Sequence, residues 1–151
     1  MKKLDDYAGF LEHKSDLVHR LLLEWQPSAL GLLEKAYEQE LQKWLTSKLP
    51  DVAIASQYGI AKGKADLMIE DTYIVELKCA FTDETLVEFD RCIGQLERYR
   101  QKWVDCDRGR VYLVVVGKSD SEFRSMLHKA IAHFNSDYTL DNYFYLVEKG
   151  E

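Results

Sequence analysis

Two short segments, Ala65-Asp66-Leu67-Met68-Ile69 and Ile74-Val75-Glu76-Leu77-Lys78, hold the residue types in this chain best suited to chemistry. Side chains alternate along a strand, so Ile74, Glu76 and Lys78 share one face while Tyr73, Val75 and Leu77 share the other. If Glu70-Asp71-Thr72 forms a three-residue loop, Ile69 faces Tyr73, Leu67 faces Val75 and Ala65 faces Leu77, which assembles one apolar face. That register sets Asp66 opposite Glu76, whereas a two-residue loop would set Asp66 opposite Leu77 and mix the faces. Two carboxylates side by side repel unless a proton or a cation stands between them. Hard oxygen ligands suit Mg²⁺ or Mn²⁺, which keep several waters and use one or two carboxylates together with substrate phosphate oxygens. Lys78, on the same face as Glu76, adds a positive charge beside such an ion. This layout is what attack on a phosphodiester requires: a metal-activated water, a Lewis acid on the phosphate and an ammonium near the developing charge. A Glu-x-Lys alone is more often an ordinary surface ladder; the aspartate in register on the neighbouring strand makes this one notable.

The elements that must position these residues follow from periodicity. Helices are predicted over Asp5–Trp25, closed by Pro27, and over Ser28–Leu49, with a stripe of Leu30, Leu33, Tyr37, Leu41, Trp44 and Leu45 and an exit at Pro50. Val52–Ser56 is a short β-compatible run, after which Gly59 and Gly63 break the pattern. Strands at Lys64–Ile69 and Tyr73–Lys78 form a hairpin. A long helix over Asp83–Trp103 shows Leu86, Phe89, Ile93, Leu96 and Trp103 on one side. Val111–Val116 reads as a strand buried on both faces, Ser121–Phe134 as a helix and Tyr143–Val147 as a last strand. Alternation of helix and strand after a hairpin implies an α/β fold with a mixed sheet flanked by helices, because parallel neighbours need a crossover.

The bulk properties bound the rest. At 151 residues and 46% hydrophobic content the chain is long enough for one core, so a single domain over 1–151 is expected. No apolar run approaches the roughly 20 residues of a membrane span, and the start leads into a charged helix, so a soluble, cytoplasmic protein without membrane partners is expected. Cys79, Cys92 and Cys106 contain no CxxC pair and read as reduced thiols. The net charge of −6 argues against a protein that coats nucleic acid, yet Lys62, Lys64, Lys78, Arg98, Arg100, Arg108 and Arg110 could form a local basic rim.

Asp66 followed by Glu76-Leu77-Lys78 resembles the PD-(D/E)XK nuclease superfamily. Gly31-Leu32-Leu33-Glu34-Lys35-Ala36-Tyr37-Glu38 looks like the motif that names its GxxExxY family, and Gln95-Leu96-Glu97-Arg98-Tyr99 is similar to the QxxxY motif of several branches. The three motifs span Gly31–Tyr99 in the expected order. The resemblance implies a restriction-endonuclease-like core over 29–151 with an extra N-terminal helical extension over 1–28. It further implies a divalent-metal-dependent nuclease acting on DNA more readily than RNA, with a homodimer as a possible assembly. Mg²⁺ or Mn²⁺ would be held by Glu34, Asp66, Glu76 and the Leu77 carbonyl, Lys78 would assist attack, and Gln95 and Tyr99 would steady substrate. The competing reading is a non-catalytic nuclease-like subunit that binds nucleic acid or protein.

The residues themselves support part of this. At about 100° per residue Glu34 falls within roughly 30° of the centre of the Leu30, Tyr37 and Leu41 stripe, with Glu38 and Glu40 on its flanks and Glu38 the nearest substitute ligand. Gln95 and Tyr99 share a helix face beside the main stripe, placed to touch nucleic acid or steady Lys78, or to be no more than a helix surface with a packed tyrosine. His13, His19, His128 and His133 lack ligand spacing and read as surface residues. Tyr143, Phe144 and Tyr145 are able to stack bases, but at strand spacing they read as core and sheet surface.

Overall fold

The computed structural model describes residues 3–9, 12–60, 63–102, 109–136 and 143–150. Five strands form one sheet in the order β1 (Ile54–Ile60), β2 (Gly63–Ile69), β3 (Tyr73–Cys79), β4 (Arg110–Val116), β5 (Phe144–Lys149). The first three pair antiparallel and the last three parallel. The two parallel pairings are made possible by crossover helices, α3 (Leu86–Lys102) between β3 and β4 and α4 (Ser121–Asn135) between β4 and β5. Two earlier helices, α1 (Lys14–Glu24) and α2 (Glu34–Lys48), cover the other face. The expected mixed α/β sheet between helices is therefore present.

Alternation along the strands sorts the core into two layers. Leu67, Val75, Leu77, Tyr112 and Val114 pack with Leu17, Leu21, Leu22 and Trp25 of the α1 segment and with Tyr37, Leu41 and Leu45 of α2. Met68, Ile74, Val111, Leu113 and Val115 pack with Phe89, Cys92, Leu96 and Tyr99 of α3 and with Phe123, Leu127, Ile131 and Phe134 of α4. Residues around α1 thus belong to the core, where Trp25 is 1% exposed and the Tyr112 hydroxyl donates to the Ser15 carbonyl at 2.8 Å.

Several expected boundaries shift, each for a local reason. The helix expected over Asp5–Trp25 is a 3₁₀ turn at Leu4–Asp6 followed, after Gly9, by α1, which starts only at Lys14. His13 sets that start: it is extended (φ −73°, ψ 147°) and its Nδ1 accepts from the Ser15 N–H at 3.2 Å. Phe10 and Leu11, counted in the predicted stripe, lie outside the described residues, as does Trp103. The second helix begins at Glu34 rather than Ser28, because Gly31 takes a left-handed φ of +82° and Tyr37 reaches back to pin the loop. The Tyr37 hydroxyl donates to the Ala29 carbonyl at 2.9 Å and accepts from the Leu32 N–H at 3.1 Å. Leu30 and Leu33, placed in the apolar stripe from the sequence, are consequently exposed. The first strand starts later than expected and continues through Gly59 to Ile60, because Gly59 pairs with Lys64 and Ile60 with Gly63. The helix expected from Asp83 is 3₁₀ over Asp83–Thr85 before α3 begins. His19 is a correction to the surface reading, its ring lying 4.8 Å from that of Tyr145. Among the described residues no helix is long and apolar enough to cross a membrane.

The core position of α1 gives a direct expectation. Leu22, fully buried, should cost about 2–5 kcal/mol of unfolding free energy when replaced by alanine. Urea denaturation of Leu22→Ala checks this; a loss below 1 kcal/mol, the scale of a surface change, would mean that α1 is peripheral.

Candidate active site

The β2–β3 hairpin takes the register read from its hydrophobic pattern: Ile69 pairs with Tyr73, Met68 with Ile74 and Leu67 with Val75. Its turn is tight, with Glu70 and Asp71 both left-handed and the Thr72 N–H donating to the Ile69 carbonyl at 3.1 Å. Beyond Leu67 the described backbone pairing ends, and carboxylates take over. Asp66 Oδ2 accepts from the Leu77 N–H at 2.8 Å, and Glu76 Oε1 accepts from the Asp66 N–H at 3.0 Å. The two acids stand side by side where continuation of the register would put them. Leu77 enters the site through its N–H.

Glu76 is 1% exposed. Its Oε1 also accepts from the Tyr99 hydroxyl at 2.6 Å, and Gln95 Nε2 donates to that hydroxyl at 3.0 Å. Gln95 and Tyr99 therefore brace Glu76 rather than Lys78, and Tyr99, expected beside the α3 stripe, is buried within it alongside Phe89, Cys92 and Leu96. The other oxygen, Glu76 Oε2, is buried without a hydrogen-bond partner among the described residues and lies 4.0 Å from Lys78 Nζ. Burial, then the neighbouring charge of Asp66, pushes the Glu76 carboxyl up to about 8, against the pull of Tyr99, Lys78 and the Asp66 N–H. Burial likewise raises Asp66, opposed by the Leu77 N–H and Lys78. Burial works against the charge of Lys78, but Glu76, Glu34 and Asp66 together outweigh it and hold its pKa above the usual value.

Glu34 occupies the first turn of α2, so it is not the stripe-centred residue that a helix beginning at Ser28 would make it. The residue is exposed overall, yet its carboxylate lies near Lys78, Asp66 and the Cys79 amide. Desolvation there raises its pKa, with Lys78 opposing. The buried acid of α2 is instead Glu38, whose two oxygens accept from Gln57 Nε2 at 3.0 and 3.1 Å and one of them from Lys35 Nζ at 3.2 Å. Gln57 adopts a left-handed φ of 52° inside β1, between the Ser56–Leu67 and Tyr58–Ala65 pairs, at the position that faces Asp66. Among the described residues no three His, Cys, Asp or Glu side chains gather closely enough to hold a metal ion, so Glu34 does not join Asp66 and Glu76 in one cluster.

A cleft of about 280 Å³ opens beside the pair, lined by Glu34, Lys78, Thr85, Glu88 and Arg91 among others. Asp66 and Glu76 are not part of its lining; Lys78, whose Nζ is 4.0 Å from Glu76 Oε2, connects it to the pair. Arg91 was missed from the sequence, although it precedes Gln95 by one helical turn and shares its face. The expected basic rim is reduced: Arg100 pairs with Glu97 at 2.6 Å, Arg110 stands 4.3 Å over the Tyr143 ring, and Lys62 and Arg108 lie outside the described residues. Gly94, in the middle of α3, costs about 1 kcal/mol relative to alanine in a helix interior, yet a Cβ there would meet nothing within 4 Å. Cys79 and Cys92 are free thiols, as expected, and Cys106 lies outside the described residues.

Comparisons of the chain with protein families, curated proteins and solved structures find no match.

The raised Glu76 pKa has a sign that can be tested. Below the ordinary carboxyl pKa the group is protonated in both folded and unfolded chains; between that value and about 8 only the folded chain holds the proton. Its contribution to stability is therefore present at acid pH and lost as pH rises through about 8. In chelator, urea unfolding followed from about pH 5 to pH 9 should show stability falling with pH, and Glu76→Gln should flatten that slope. Tyr99→Phe, which removes a donor to the carboxylate, should move the midpoint upward.

Proposed function

We propose that this protein is a divalent-metal-dependent hydrolase of phosphodiester bonds, acting on DNA, with a restriction-endonuclease-like core. The observation that carries the reading is Glu76 Oε2: a buried carboxylate oxygen that has no hydrogen-bond partner among the described residues, next to a second carboxylate and 4.0 Å from an ammonium. Burial of an unpartnered polar atom is costly, and a cation is the ligand that chemistry supplies for it. The donor set fits Mg²⁺ or Mn²⁺, which need only one or two carboxylates and complete their shell with water and phosphate oxygens. Asp66 and Glu76 would hold the ion, which when bound would provide Lewis acidity and an acidified water.

The chain's own groups divide the remaining work. The Asp66 and Leu77 amides lock the two carboxylates in position, and Tyr99 with Gln95 fixes Glu76 Oε1, which would leave Oε2 for the ion. Lys78, half-buried and held charged by its acidic neighbours, stabilises negative charge that develops on the phosphate and lines the cleft through which the phosphate enters. Glu34, on the cleft wall, can accept a hydrogen bond from the attacking water. The resemblance of the Asp66, Glu76-Leu77-Lys78 and Gln95-to-Tyr99 motifs to PD-(D/E)XK nucleases supports the same assignment.

The test is a cleavage panel of linear, circular, branched and single-stranded DNA with Mg²⁺, Mn²⁺ or chelator. Cleavage should require metal, vanish in Asp66→Ala and Glu76→Ala, and fall by about 100-fold or more in Lys78→Ala. Wild-type metal dependence persisting in Asp66→Ala would overturn the proposal. Calorimetric metal binding without any cleavage would instead favour the non-catalytic, nucleic-acid-binding reading.

A further inference from the structure

We infer that one face of α3 is the track along which a single nucleic-acid strand leaves the cleft, with Arg91, Arg98 and Lys64 holding its phosphates over the bare surface of Gly94. The inference rests on the phosphodiester-cleaving reading above and adds to it the path and form of the substrate.

Several cations of the described residues are neutralised by the protein itself. Lys14 pairs with Asp5, Arg20 with Glu12 and Glu24, Lys35 with Glu38, Arg100 with Glu97 and Arg124 with Glu148. Arg91, Arg98 and Lys64, like Lys43, Lys118 and Lys129 elsewhere on the surface, are exposed, and among the described residues their side chains make neither hydrogen bond nor ion pair. In a chain of net charge −6, unpaired cations that fall together are not accounted for by solvation of a mixed-charge surface.

They do fall together. Arg91, Gly94, Gln95 and Arg98 stand at helical spacings of 3, 4 and 7 and so share one face of α3, with the two arginines about 10 Å apart along the axis. Lys64 is tied to that face, because its carbonyl oxygen lies 3.3 Å from the Tyr99 hydroxyl and 3.5 Å from Gln95 Nε2. The row begins at the cleft, whose wall includes both Arg91 and Lys78, and runs away from the acids Glu34 and Glu88 that share the cleft. Gly94 lies between the arginines with open space where a side chain would be. A glycine that weakens a helix and has open space where its Cβ would stand leaves room for a strand to come close to the backbone. Two arginines in file on one helix face, with Lys64 of β2 beside them, match one phosphate backbone.

The experiment is fluorescence anisotropy of labelled oligothymidylate, read in EDTA so that no turnover occurs. Combining Lys64→Gln, Arg91→Gln and Arg98→Gln should weaken binding and reduce the slope of log affinity against log salt by about 2, since each phosphate contact on a single strand contributes roughly 0.7. Arg124→Gln, on a cation already paired, should leave the slope unchanged. Gly94→Leu should weaken binding while leaving the melting temperature equal or higher, which separates obstruction of the track from damage to the fold. Unaltered affinity and slope in the triple variant, or absence of binding by the wild-type chain, would overturn the inference. Loss of binding as described in a protein that never cleaves would uphold the track and remove only the hydrolytic reading.

Discussion

The arrangement of this protein turns on keeping one carboxylate, Glu76, out of water. A buried acid without partners would protonate or force the sheet apart. Here one of its oxygens is satisfied twice, by a backbone amide from β2 and by a hydroxyl from α3, and the other is left facing a second acid and an ammonium. The partners come from three elements, Asp66 from β2, Tyr99 from α3 and Lys78 from β3 itself. The β2–β3 turn must set the register, the α3 stripe of Phe89, Cys92 and Leu96 must seat Tyr99 over the sheet, and β4 must cover Glu76 with Leu113. Core packing and site geometry are therefore one problem, and a change that shifts α3 by a fraction of a turn disturbs both.

The site draws on residues from both faces of the sheet. Glu76 and Lys78 project toward the layer of α3 and α4, whereas Glu34 and Glu38 belong to α2 on the opposite layer, yet all four act electrostatically on Asp66 or on one another. Such communication across a sheet is possible because the β2–β3 backbone pairing gives way at Asp66 and because β1 bends at Gln57, its neighbour on the other side. Side-chain oxygens replace the missing ladder bonds, so the opening does not leave the Asp66 and Leu77 amides unsatisfied.

What could be read from the sequence follows period and register. A period of two with a three-residue loop was enough to place Asp66 beside Glu76, and continuous β-branched residues marked β4 as central. Helix starts were less legible, because they depend on single residues acting at a distance: Tyr37 pulling the Ala29–Leu32 loop out of helix, and His13 capping α1. The displaced start of α2 in turn rotated the assignment of its acids, exchanging the buried role between Glu34 and Glu38. Gln57 gave no signal at all, since a left-handed glutamine within a strand arises from its tertiary hold on Glu38 rather than from propensity. Tyr99 was recognisable by motif, but its partner was not, because which side chain a buried hydroxyl meets depends on how helix and sheet dock.

The bend at Gln57 has a second effect, at the margin of the sheet. β1 is an edge strand, and a straight edge offers its free amides and carbonyls to any extended chain that drifts past. A left-handed residue in mid-strand breaks that row into two short stretches, each too brief to template a neighbour. The distortion beside the carboxylate pair thus also guards the protein against growing its sheet from one molecule into the next.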